Sequence, residues 1–322
     1  MEAAVTIVGA GMAGLACARR ILEQAPGTVV SVIDRGIDVG GRLRTVERDG
    51  ATFDAGAQFF TVRSSEFAAA VSRWEAGGLV SVWCHGFTPG GDGFPRYRAT
   101  GGMQELARRL AAEIEVLGAS ITCGTTVRNV RPMPAAMSGA RWSVDGAGTD
   151  AVVLTAPLPL ATGLVHPTLT ADVADIGWEP TICLLAMLFD DAHIPEPGAV
   201  QLHDPDAVLS FVADNRLKGI SAMPALTLHA SAAWSAEHIA HPDDVITALL
   251  LEAAAPWIGD QPVVTTELHR WLHARPTGSA GEGALALAPG LVLAGDAFCG
   301  GKVEGAWRSG VAAADLVSGS LA

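Results

Sequence analysis

The sequence predicts an α/β fold whose parallel sheet is built from βαβ units. Near the start of the chain, the apolar run Val5 to Val8 is followed by the glycine-rich segment Gly9 to Gly14, which opens a stretch with apolar residues at helical spacing. A second β-rich run, Val29 to Ile33, follows that helix and ends in an acid, Asp34. The run Leu291 to Ala294 predicts a buried strand near the other end of the chain. Strand, helix and strand in this order are typical of a Rossmann-type domain, which binds a dinucleotide.

The glycine-rich segment predicts a phosphate-binding turn. In the pattern Gly-x-Gly-x-x-Gly the first glycine permits a tight turn, the second lets the backbone approach a pyrophosphate, and the third lets the helix pack on the strand. The unpaired N–H groups and the positive dipole end of the helix then receive the phosphates. The residues predicted to bind a cofactor here are Gly9, Ala10, Gly11, Met12, Ala13 and Gly14.

A second group of predicted cofactor-binding residues follows the second strand. Asp34 is placed to bind the hydroxyl pair of an unphosphorylated adenosine ribose. Gly40-Gly41-Arg42 comes shortly after Asp34-Arg35, where the backbone can approach a phosphate and a guanidinium can neutralise it. Asp34, Arg35, Gly41 and Arg42 are therefore added to the site.

The middle of the chain predicts one helix and several strands. Met103 to Leu117 has an amphipathic helical pattern, and Thr100 is predicted to cap that helix. Strands are predicted near Ser120 to Val127, at Arg141 to Val144 and at Val152 to Pro157.

The last helix is predicted to begin near Val303, after Gly300-Gly301. It follows Asp296, an acid that the buried strand delivers to the carboxyl edge of the sheet. Small residues at Ala306, Gly310 and Ala314 permit this helix to pack closely against a strand or a cofactor.

These motifs together resemble the flavin amine-oxidase superfamily. The resemblance rests on the amino-terminal fingerprint, Gly40-Gly41-Arg42, Asp54-Ala55-Gly56-Ala57-Gln58-Phe59-Phe60-Thr61, Thr100-Gly101-Gly102-Met103, and the terminal Gly295-Asp296, Val303 to Ala306 and Ser309-Gly310. Within the superfamily the short chain is most similar to the bacterial renalase-like proteins. The segments that carry this closer similarity are Gly56 to Thr61, Trp83, Trp234-Ser235, His269-Arg270-Trp271 and Gly301 to Ala306.

The resemblance implies FAD and an amine oxidase/p-hydroxybenzoate hydroxylase-like architecture, in which a Rossmann-type FAD-binding domain is interleaved with a mixed-sheet α+β substrate domain. It assigns residues 1–57, 99–160 and 284–322 to the FAD-binding domain and residues 58–98 and 161–283 to the substrate domain. Some members of the superfamily tether their flavin to a cysteine, but the surroundings of Cys299 lack that pattern, so the FAD is predicted to be non-covalent.

Further cofactor contacts are implied by the same resemblance. The last helix would direct its dipole at the end of the flavin ring that becomes negative on reduction, with Glu304 as a favourable acid in the first turn rather than a catalytic one. The additional cofactor-binding residues are Ala57, Gln58, Phe59, Val127, Gly295, Asp296, Val303, Glu304, Gly305 and Ala306.

Substrate-binding residues are also implied by the resemblance. They are Arg63, Arg96, Tyr97, Arg98, Thr181 and Lys302. Arginine forks suit a phosphate-bearing substrate, and the alternative for each arginine is an ordinary ion pair. The family more often has arginine at the position of Lys302.

No residue is identified as catalytic; His273 and Lys302 are the candidates. His269, Trp271 and His273 alternate, so they share one face of a predicted strand, where a histidine could relay a proton. Lys218 has two interpretations: the lysine near flavin N5 of amine oxidases, or a solvated lysine, which its loop-like surroundings favour.

Composition limits the other classes of function. The net charge of −13 predicts no binding to nucleic acid. No run approaches the roughly 18 apolar residues of a membrane span, and a strand occupies the amino terminus where a signal peptide would lie, so a cytoplasmic location is predicted. The 5 cysteines form no CxxC pair and no histidine-rich spacing is present, so reduced thiols and no metal site are predicted.

Three functions are compatible with these observations. The first is a renalase-like FAD-dependent oxidase, in which an abnormal dihydronicotinamide dinucleotide transfers a hydride to flavin N5 and oxygen is reduced to hydrogen peroxide. This reaction needs orientation and an electron sink more than an acid or a base, which suits a chain without an evident catalytic dyad. The second is a flavin amine oxidase, although Tyr97 is the one tyrosine available to line an aromatic passage. The third is a flavin-binding or electron-transfer protein without turnover.

Overall fold

The computed structural model describes residues 2–87, 91–134, 139–170, 173, 176–204 and 206–321. The helices are α1 (Met12–Gln24), α2 (Ser65–Ala76), α3 (Met103–Val116), α4 (Leu158–Thr162), α5 (Ala232–His238), α6 (Asp243–Ile258) and α7 (Lys302–Leu321). The strands are β1 (Ala4–Val8), β2 (Val29–Ile33), β3 (Thr45–Arg48), β4 (Ala51–Asp54), β5 (Val80–Cys84), β6 (Arg96–Ala99), β7 (Ser120–Thr122), β8 (Val130–Pro132), β9 (Trp142–Val144), β10 (Ala147–Thr149), β11 (Ala151–Leu154), β12 (Trp178–Leu188), β13 (Ala199–Gln201), β14 (Leu209–Asp214), β15 (Ala225–Ala230), β16 (Val263–Pro276), β17 (Leu285–Ala288) and β18 (Leu291–Leu293).

The chain divides into two compact units. The first unit comprises Met1–Gly41, Ala107–Gly177 and Pro276–Ala322, and the second comprises Arg42–Leu106 and Trp178–Arg275. The sequence-based domain boundaries fall elsewhere, at residues 57, 98, 160 and 283, and they stay a prediction.

The first unit is built on a six-stranded sheet in the order β17-β18-β11-β1-β2-β7. The strands from β18 to β7 run parallel, with Val8 of β1 opposite Ile33 and Leu154, and β17 is antiparallel. The central strands β1, β11 and β18 are rich in Val, Leu and Ile, as expected for a sheet covered on both faces. The α/β fold predicted from the βαβ pattern is confirmed.

Small residues bring helices α1 and α7 together. A Cβ atom on Gly310 would lie 2.1 Å from the carbonyl oxygen of Ala13, so the two backbones touch at this point. The small residues of the last helix were expected to face a strand or a cofactor, and at Gly310 the partner is instead another helix.

The strands after α3 are shorter than the sequence predicts. The predicted strand Ser120 to Val127 ends at Thr122, because Gly124 has a φ of +71° and its N–H donates to the carbonyl of Gly36 at 2.6 Å. The chain then forms β8, which the sequence did not predict, and this strand pairs antiparallel with β9.

The second unit contains a five-stranded sheet in the order β13-β14-β15-β12-β16. Its core includes one face of α6, formed by Ile246, Leu250, Ala254 and Ile258 at intervals of four residues. Strands β3 and β4 form one antiparallel pair, and β5 and β6 form another.

The start of α3 corrects a sequence-based prediction. Thr100 does not cap the helix, since its hydroxyl donates to the carbonyl of Gly78 at 2.9 Å. The first N–H groups are satisfied by distant side chains: Met103 donates to Asp54 Oδ1 at 2.7 Å, and Gln104 donates to Thr45 Oγ1 at 3.0 Å. A helix start accepts any suitably placed oxygen, and here it comes from β3 and β4.

Among the residues that the structure describes, none of the helices combines the length and the apolar character that crossing a membrane requires.

Candidate functional site

The glycine-rich turn of the first unit has the geometry of a phosphate cradle. Gly9 has a φ of +113°, and a Cβ there would lie 2.4 Å from Thr155 Oγ1. A Cβ on Gly14 would lie 1.9 Å from the carbonyl oxygen of Gly9, so the helix packs directly on the turn. A Cβ on Gly11, in contrast, would meet nothing closer than Gly40 O at 3.9 Å. The open side of the turn therefore lies at Gly11, beside the N-terminus of α1, where a pyrophosphate fits.

A second backbone segment lines the same opening. The N–H of Gly40 donates to the carbonyl of Ala10 at 2.9 Å. Gly41 has a φ of +54°, and a Cβ on it would meet only the Cα of Gly11, at 3.9 Å. The doublet thus leaves room for a phosphate in a place where a side chain would intrude.

Asp34 ends β2 beside this cradle. Its Oδ2 accepts from the N–H of Ala10 at 2.6 Å, and its Oδ1 accepts from the N–H of Gly36 at 2.6 Å. Each carboxylate oxygen keeps a second lone pair, so the half-buried group can still bind ribose hydroxyls. Arg35, the next residue, is exposed. Glycine turn, doublet and acid together fit the adenosine diphosphate part of FAD.

The carboxyl end of β18 leads into α7 through a backbone in an uncommon conformation. Gly300, Gly301 and Lys302 have φ values of +79°, +73° and +66° in succession, and the side chain of Lys302 is exposed. Asp296 is buried, and its carbonyl accepts from the N–H of Gly301 at 2.8 Å. Positive φ in a residue with a Cβ is rare and is often found at functional positions.

The other predicted cofactor residues of the first unit are mostly buried. Gly295 donates its N–H to Ser309 Oγ at 2.8 Å, and a Cβ on Gly305 would lie 2.6 Å from the carbonyl oxygen of Cys299. Val127, Val303 and Glu304 are buried as well, and Ala306 is half-buried.

In the second unit, strand β6 separates the predicted substrate residues. Tyr97 stacks on Phe60, with ring centroids 5.5 Å apart. Arg96 and Arg98 alternate with Tyr97 and therefore lie on the opposite face of β6. The structure thus groups the two arginines with each other and not with the tyrosine.

The two arginines of β6 differ in their partners. Arg96 is buried and donates to Asp92 Oδ2 at 2.6 Å and to the carbonyl of Phe94 at 2.8 Å. Arg98 is half-buried and donates to the carbonyl of Gly219 at 3.1 Å. No carboxylate lies within 4.0 Å of Arg98 among the described residues, and burial lowers the pKa of its guanidinium. Arg98 is the predicted substrate residue best suited to receive an anion.

Two further predicted substrate residues lie in other surroundings. The exposed Arg63 places its guanidinium 4.1 Å from the centroid of the Phe94 ring. Thr181 is half-buried within β12.

The segment after β4 carries the remaining predicted flavin contacts. The N–H of Ala57 donates to the carbonyl of Arg42 at 2.9 Å, and a Cβ on Gly56 would lie 2.0 Å from that same oxygen. Gln58 is buried, and Phe59 packs with Phe87 at a centroid distance of 5.0 Å. The Arg42 guanidinium donates to the carbonyls of His273 and Ala274 at 3.4 and 3.1 Å and lies over the Trp178 ring.

Strand β16 confirms the predicted alternation of His269, Trp271 and His273. Trp271 Nε1 donates to the carbonyl of Ala55 at 2.9 Å, which fixes the ring against the segment after β4. His269 Nε2 lies 2.9 Å from Glu267 Oε1, and burial lowers the pKa of this histidine despite that neighbour. His273 meets the edge of the Trp178 ring, with centroids 5.9 Å apart.

Lys218 is the residue that the sequence-based interpretation missed. The favoured prediction of a solvated loop lysine is wrong, because the side chain is fully buried and its Nζ lies 2.6 Å from Asp54 Oδ2. Burial lowers the pKa of Lys218, whereas Asp54 raises it. One signal was available: the chain contains 21 basic residues of the Lys and Arg types, and only Lys218 and Lys302 are lysines.

Comparison with known proteins shows that two parts of the chain match described protein families. Residues 67–318 match the family described as flavin containing amine oxidoreductase, and residues 7–74 match the NAD(P)-binding Rossmann-like domain. The first match covers more than three quarters of the chain.

Solved structures share the fold over nearly the full length. A crystal structure from Exiguobacterium sp. 255-15, provisionally named a protoporphyrinogen oxidase, has a TM-score of 0.74 at 14% identity and covers 100% of this chain and 99% of its own. A putrescine oxidase bound to putrescine has a TM-score of 0.69 at 16% identity, covering 99% of both chains. At these identities the likeness shows a common fold.

Curated relatives match over a short segment. A hydroxyneurosporene desaturase of Rubrivivax gelatinosus is 46% identical over 59 residues, which is 18% of this chain and 11% of that protein. A 4,4'-diapophytoene desaturase of Staphylococcus aureus is 42% identical over 52 residues, or 16% of this chain and 10% of that protein. The chain thus spans about a tenth of the length of these relatives.

Proposed function

The chain belongs to the family of flavin containing amine oxidoreductases, and we propose that it is a renalase-like FAD-dependent oxidase. In the proposed reaction the C–H bond of an abnormal dihydronicotinamide dinucleotide breaks, and the ring leaves as an aromatic nicotinamide. When bound, FAD would supply the hydride acceptor at N5 and would return the electron pair to oxygen. Hydrogen peroxide would then form with the proton that the hydride carried and one further proton from the solvent.

The observation that carries this proposal is that Arg98 is half-buried and has no carboxylate partner among the described residues. A half-buried guanidinium without a carboxylate partner among the described residues is costly to desolvate, and an anionic ligand would offset that cost. A dinucleotide supplies phosphate oxygens, which match the guanidinium fork in two-point fashion. An amine substrate approaches as a cation or a neutral group and would leave Arg98 without an anionic partner.

The protein's own residues then have binding and orienting roles. We assign the pyrophosphate and ribose of FAD to the cradle of Gly9 to Gly14, Gly41 and Asp34 in the first unit. In the second unit the proposal assigns Ala57, Gln58 and Phe59 to the cofactor and Arg98 to the substrate. Hydride transfer from an oriented donor needs no protein base, since the donor carbon loses no proton to the protein.

The test is anaerobic mixing of the holoprotein with a panel of dihydronicotinamide isomers and amines, followed by the bleaching of flavin absorbance. We expect bleaching by a dihydronicotinamide and a rise of about tenfold in its apparent Kd in Arg98→Met, since a charge-assisted hydrogen bond is lost. The matched control is Arg216→Met, which removes an exposed arginine that is paired with Asp191 in the same unit. Bleaching by amines alone would contradict the proposal.

A flavin amine oxidase is the second candidate, and an aromatic cluster favours it. Phe59, Phe87 and Phe211 have ring centroids 5.0 to 6.0 Å apart, and Trp83 packs on Phe87 at 5.0 Å. Such rings can flank a neutral amine, and one structural neighbour is a putrescine oxidase. The third alternative, a flavin protein without turnover, is not supported by membership in a family of oxidoreductases.

A further inference from the structure

Lys218 forms a buried ion pair that the proposed reaction does not use. It lies in the turn that follows β14, and its side chain and that of Asp54 are both 0% exposed. Its ammonium group contacts Asp54 Oδ2 at 2.6 Å and Gln58 Oε1 at 3.5 Å, and it lies 5.0 Å from the centroid of the Trp83 ring. All these partners belong to the second unit.

Asp54 connects the ammonium group to several segments. Its other oxygen, Oδ1, accepts from the hydroxyl of Thr45 at 2.6 Å and from the N–H of Met103 at the start of α3. Its main-chain carbonyl accepts from the hydroxyl of Thr227 at 3.1 Å and from Nε2 of Gln58. The carboxylate therefore has partners at both oxygens, as a buried charge requires.

The orientation of the Gln58 amide follows from these contacts. Oε1 faces the ammonium group of Lys218, so Nε2 faces the carbonyls of Asp54 and Gly56, the latter at 3.1 Å. An amide can rotate by half a turn and exchange its donor and acceptor ends, unless a neighbour accepts only one of them. An ammonium group donates and never accepts, so Lys218 selects the same orientation of the amide as the two carbonyl groups do, and it holds the oxygen end.

Burying an ion pair does not by itself favour folding over an apolar pair of similar volume, and its best-attested use is to select one geometry. We propose that Lys218 is a positioning residue, which holds the Gln58 amide and thereby the backbone from Asp54 to Gln58 in the shape that receives the flavin. This inference rests on the assignment of Ala57, Gln58 and Phe59 to the cofactor in the proposed function.

The test compares Lys218→Met, Lys218→Arg and the control Arg216→Met as holoproteins. We expect Lys218→Met to raise the FAD Kd by about tenfold or more and to alter the visible absorption band of the flavin at saturating FAD. Lys218→Arg should restore part of the FAD affinity and of the absorption band, because arginine also donates hydrogen bonds and cannot accept them. Arg216→Met should leave the FAD Kd and the absorption band unchanged. A purely structural role would lower thermal stability without changing the spectrum of the FAD that remains bound.

A second variant keeps the test decisive when Lys218→Met does not fold. Lys218→Met combined with Asp54→Asn buries no charge, and we expect it to fold and still to bind FAD weakly with an altered spectrum. Binding and a spectrum like those of the unsubstituted protein, in either variant, would overturn the inference. The readout needs no substrate, so a failure to oxidise dihydronicotinamides would refute the proposed reaction and leave this result standing.

Discussion

The two units build their candidate sites from different parts of the chain. In the first unit the cradle consists of backbone: Gly11 and Gly41 leave room for a ligand, and Gly9 and Gly14 permit the close packing of the turn. In the second unit the site depends on charged side chains, with Lys218 against Asp54 in the interior and Arg98 half-buried nearby. A backbone site tolerates changes of side chain where there is space, whereas a buried charge network fails when one member is lost. Substitutions should therefore have their largest effects in the second unit.

The largest effect is expected at Asp54. Asp54→Ala leaves the ammonium group of Lys218 buried without its carboxylate and removes the acceptor of the first α3 amide. We expect a loss of about 3–5 kcal/mol in the free energy of unfolding, measured by urea denaturation. Asp191→Ala is the control, because its exposed pair with Arg216 should be worth about 1 kcal/mol or less. Equal losses in the two variants would show that the buried network contributes no more to the free energy of unfolding than an exposed ion pair does.

The difference between the units also explains what the sequence could predict. Gly9, Gly11 and Gly14 lie within six positions of one another, so their spacing predicted the turn. The order of the apolar runs along the chain predicted the acid after β2 and the α/β fold. The pair Lys218 and Asp54 is separated by 164 residues, and the acceptor for the first amide of α3 lies 49 residues from it. The local pattern therefore predicted a solvated lysine and a helix cap at Thr100. Both predictions were wrong, because Asp54 pairs with Lys218 and also accepts from the first amide of α3. The strand of alternating His269, Trp271 and His273 was predicted correctly because alternation is local.

The next largest effect is expected from His229 in β15. Burial lowers its pKa to about 4 from the ordinary histidine value of 6.5, although the backbone of Ala55 acts in the opposite direction. The folded protein therefore holds the ring neutral while the unfolded chain gains a proton, so its contribution is complete above pH 6.5 and is lost as the pH falls towards 4. We expect up to about 3 kcal/mol from this group.

The measurement for His229 is urea denaturation at several pH values across that window. His229→Phe should flatten the dependence, and His241→Asn, which replaces an exposed histidine, should not. An unchanged slope in His229→Phe would assign the acid sensitivity to other groups.

A pair of glycine substitutions tests the backbone site. Gly14→Ala places a Cβ 1.9 Å from the carbonyl of Gly9, and we expect a loss of about 1–3 kcal/mol in folding stability from this overpacking. Gly11→Ala has space for its Cβ, so we expect a stability change within about 0.5 kcal/mol but weaker FAD binding, since the methyl group occupies the pyrophosphate opening. Tight FAD binding by Gly11→Ala would place the phosphates elsewhere.

Asp34 should influence the cofactor more than the fold. Asp34→Ala removes a charged acceptor from the ribose, and we expect FAD binding to weaken by about 1–3 kcal/mol, measured as the FAD Kd. The flavin should be released on acid precipitation of the unsubstituted protein, as non-covalent FAD requires. The control Glu115→Ala removes an exposed carboxylate elsewhere in the first unit and separates a general effect of charge from the specific contact. An unchanged Kd in Asp34→Ala would remove this residue from the ribose site.

The smallest expected effect is that of pH on the reductive reaction. Hydride transfer from an oriented dihydronicotinamide needs no protein base, so its rate in anaerobic rapid mixing should vary little between about pH 6 and 9. Amine oxidation behaves differently, because the neutral amine reacts and the rate climbs as protonated substrate is lost. His273→Ala is the control for a proton relay, because this histidine lies beside Trp178 on the face of β16 that alternation predicts. A steep rise that persists in His273→Ala, with bleaching by amines and not by dihydronicotinamides, would replace the renalase-like proposal with the amine oxidase. A steep rise that disappears in His273→Ala would instead identify His273 as the relay and make the second unit the source of the proton chemistry.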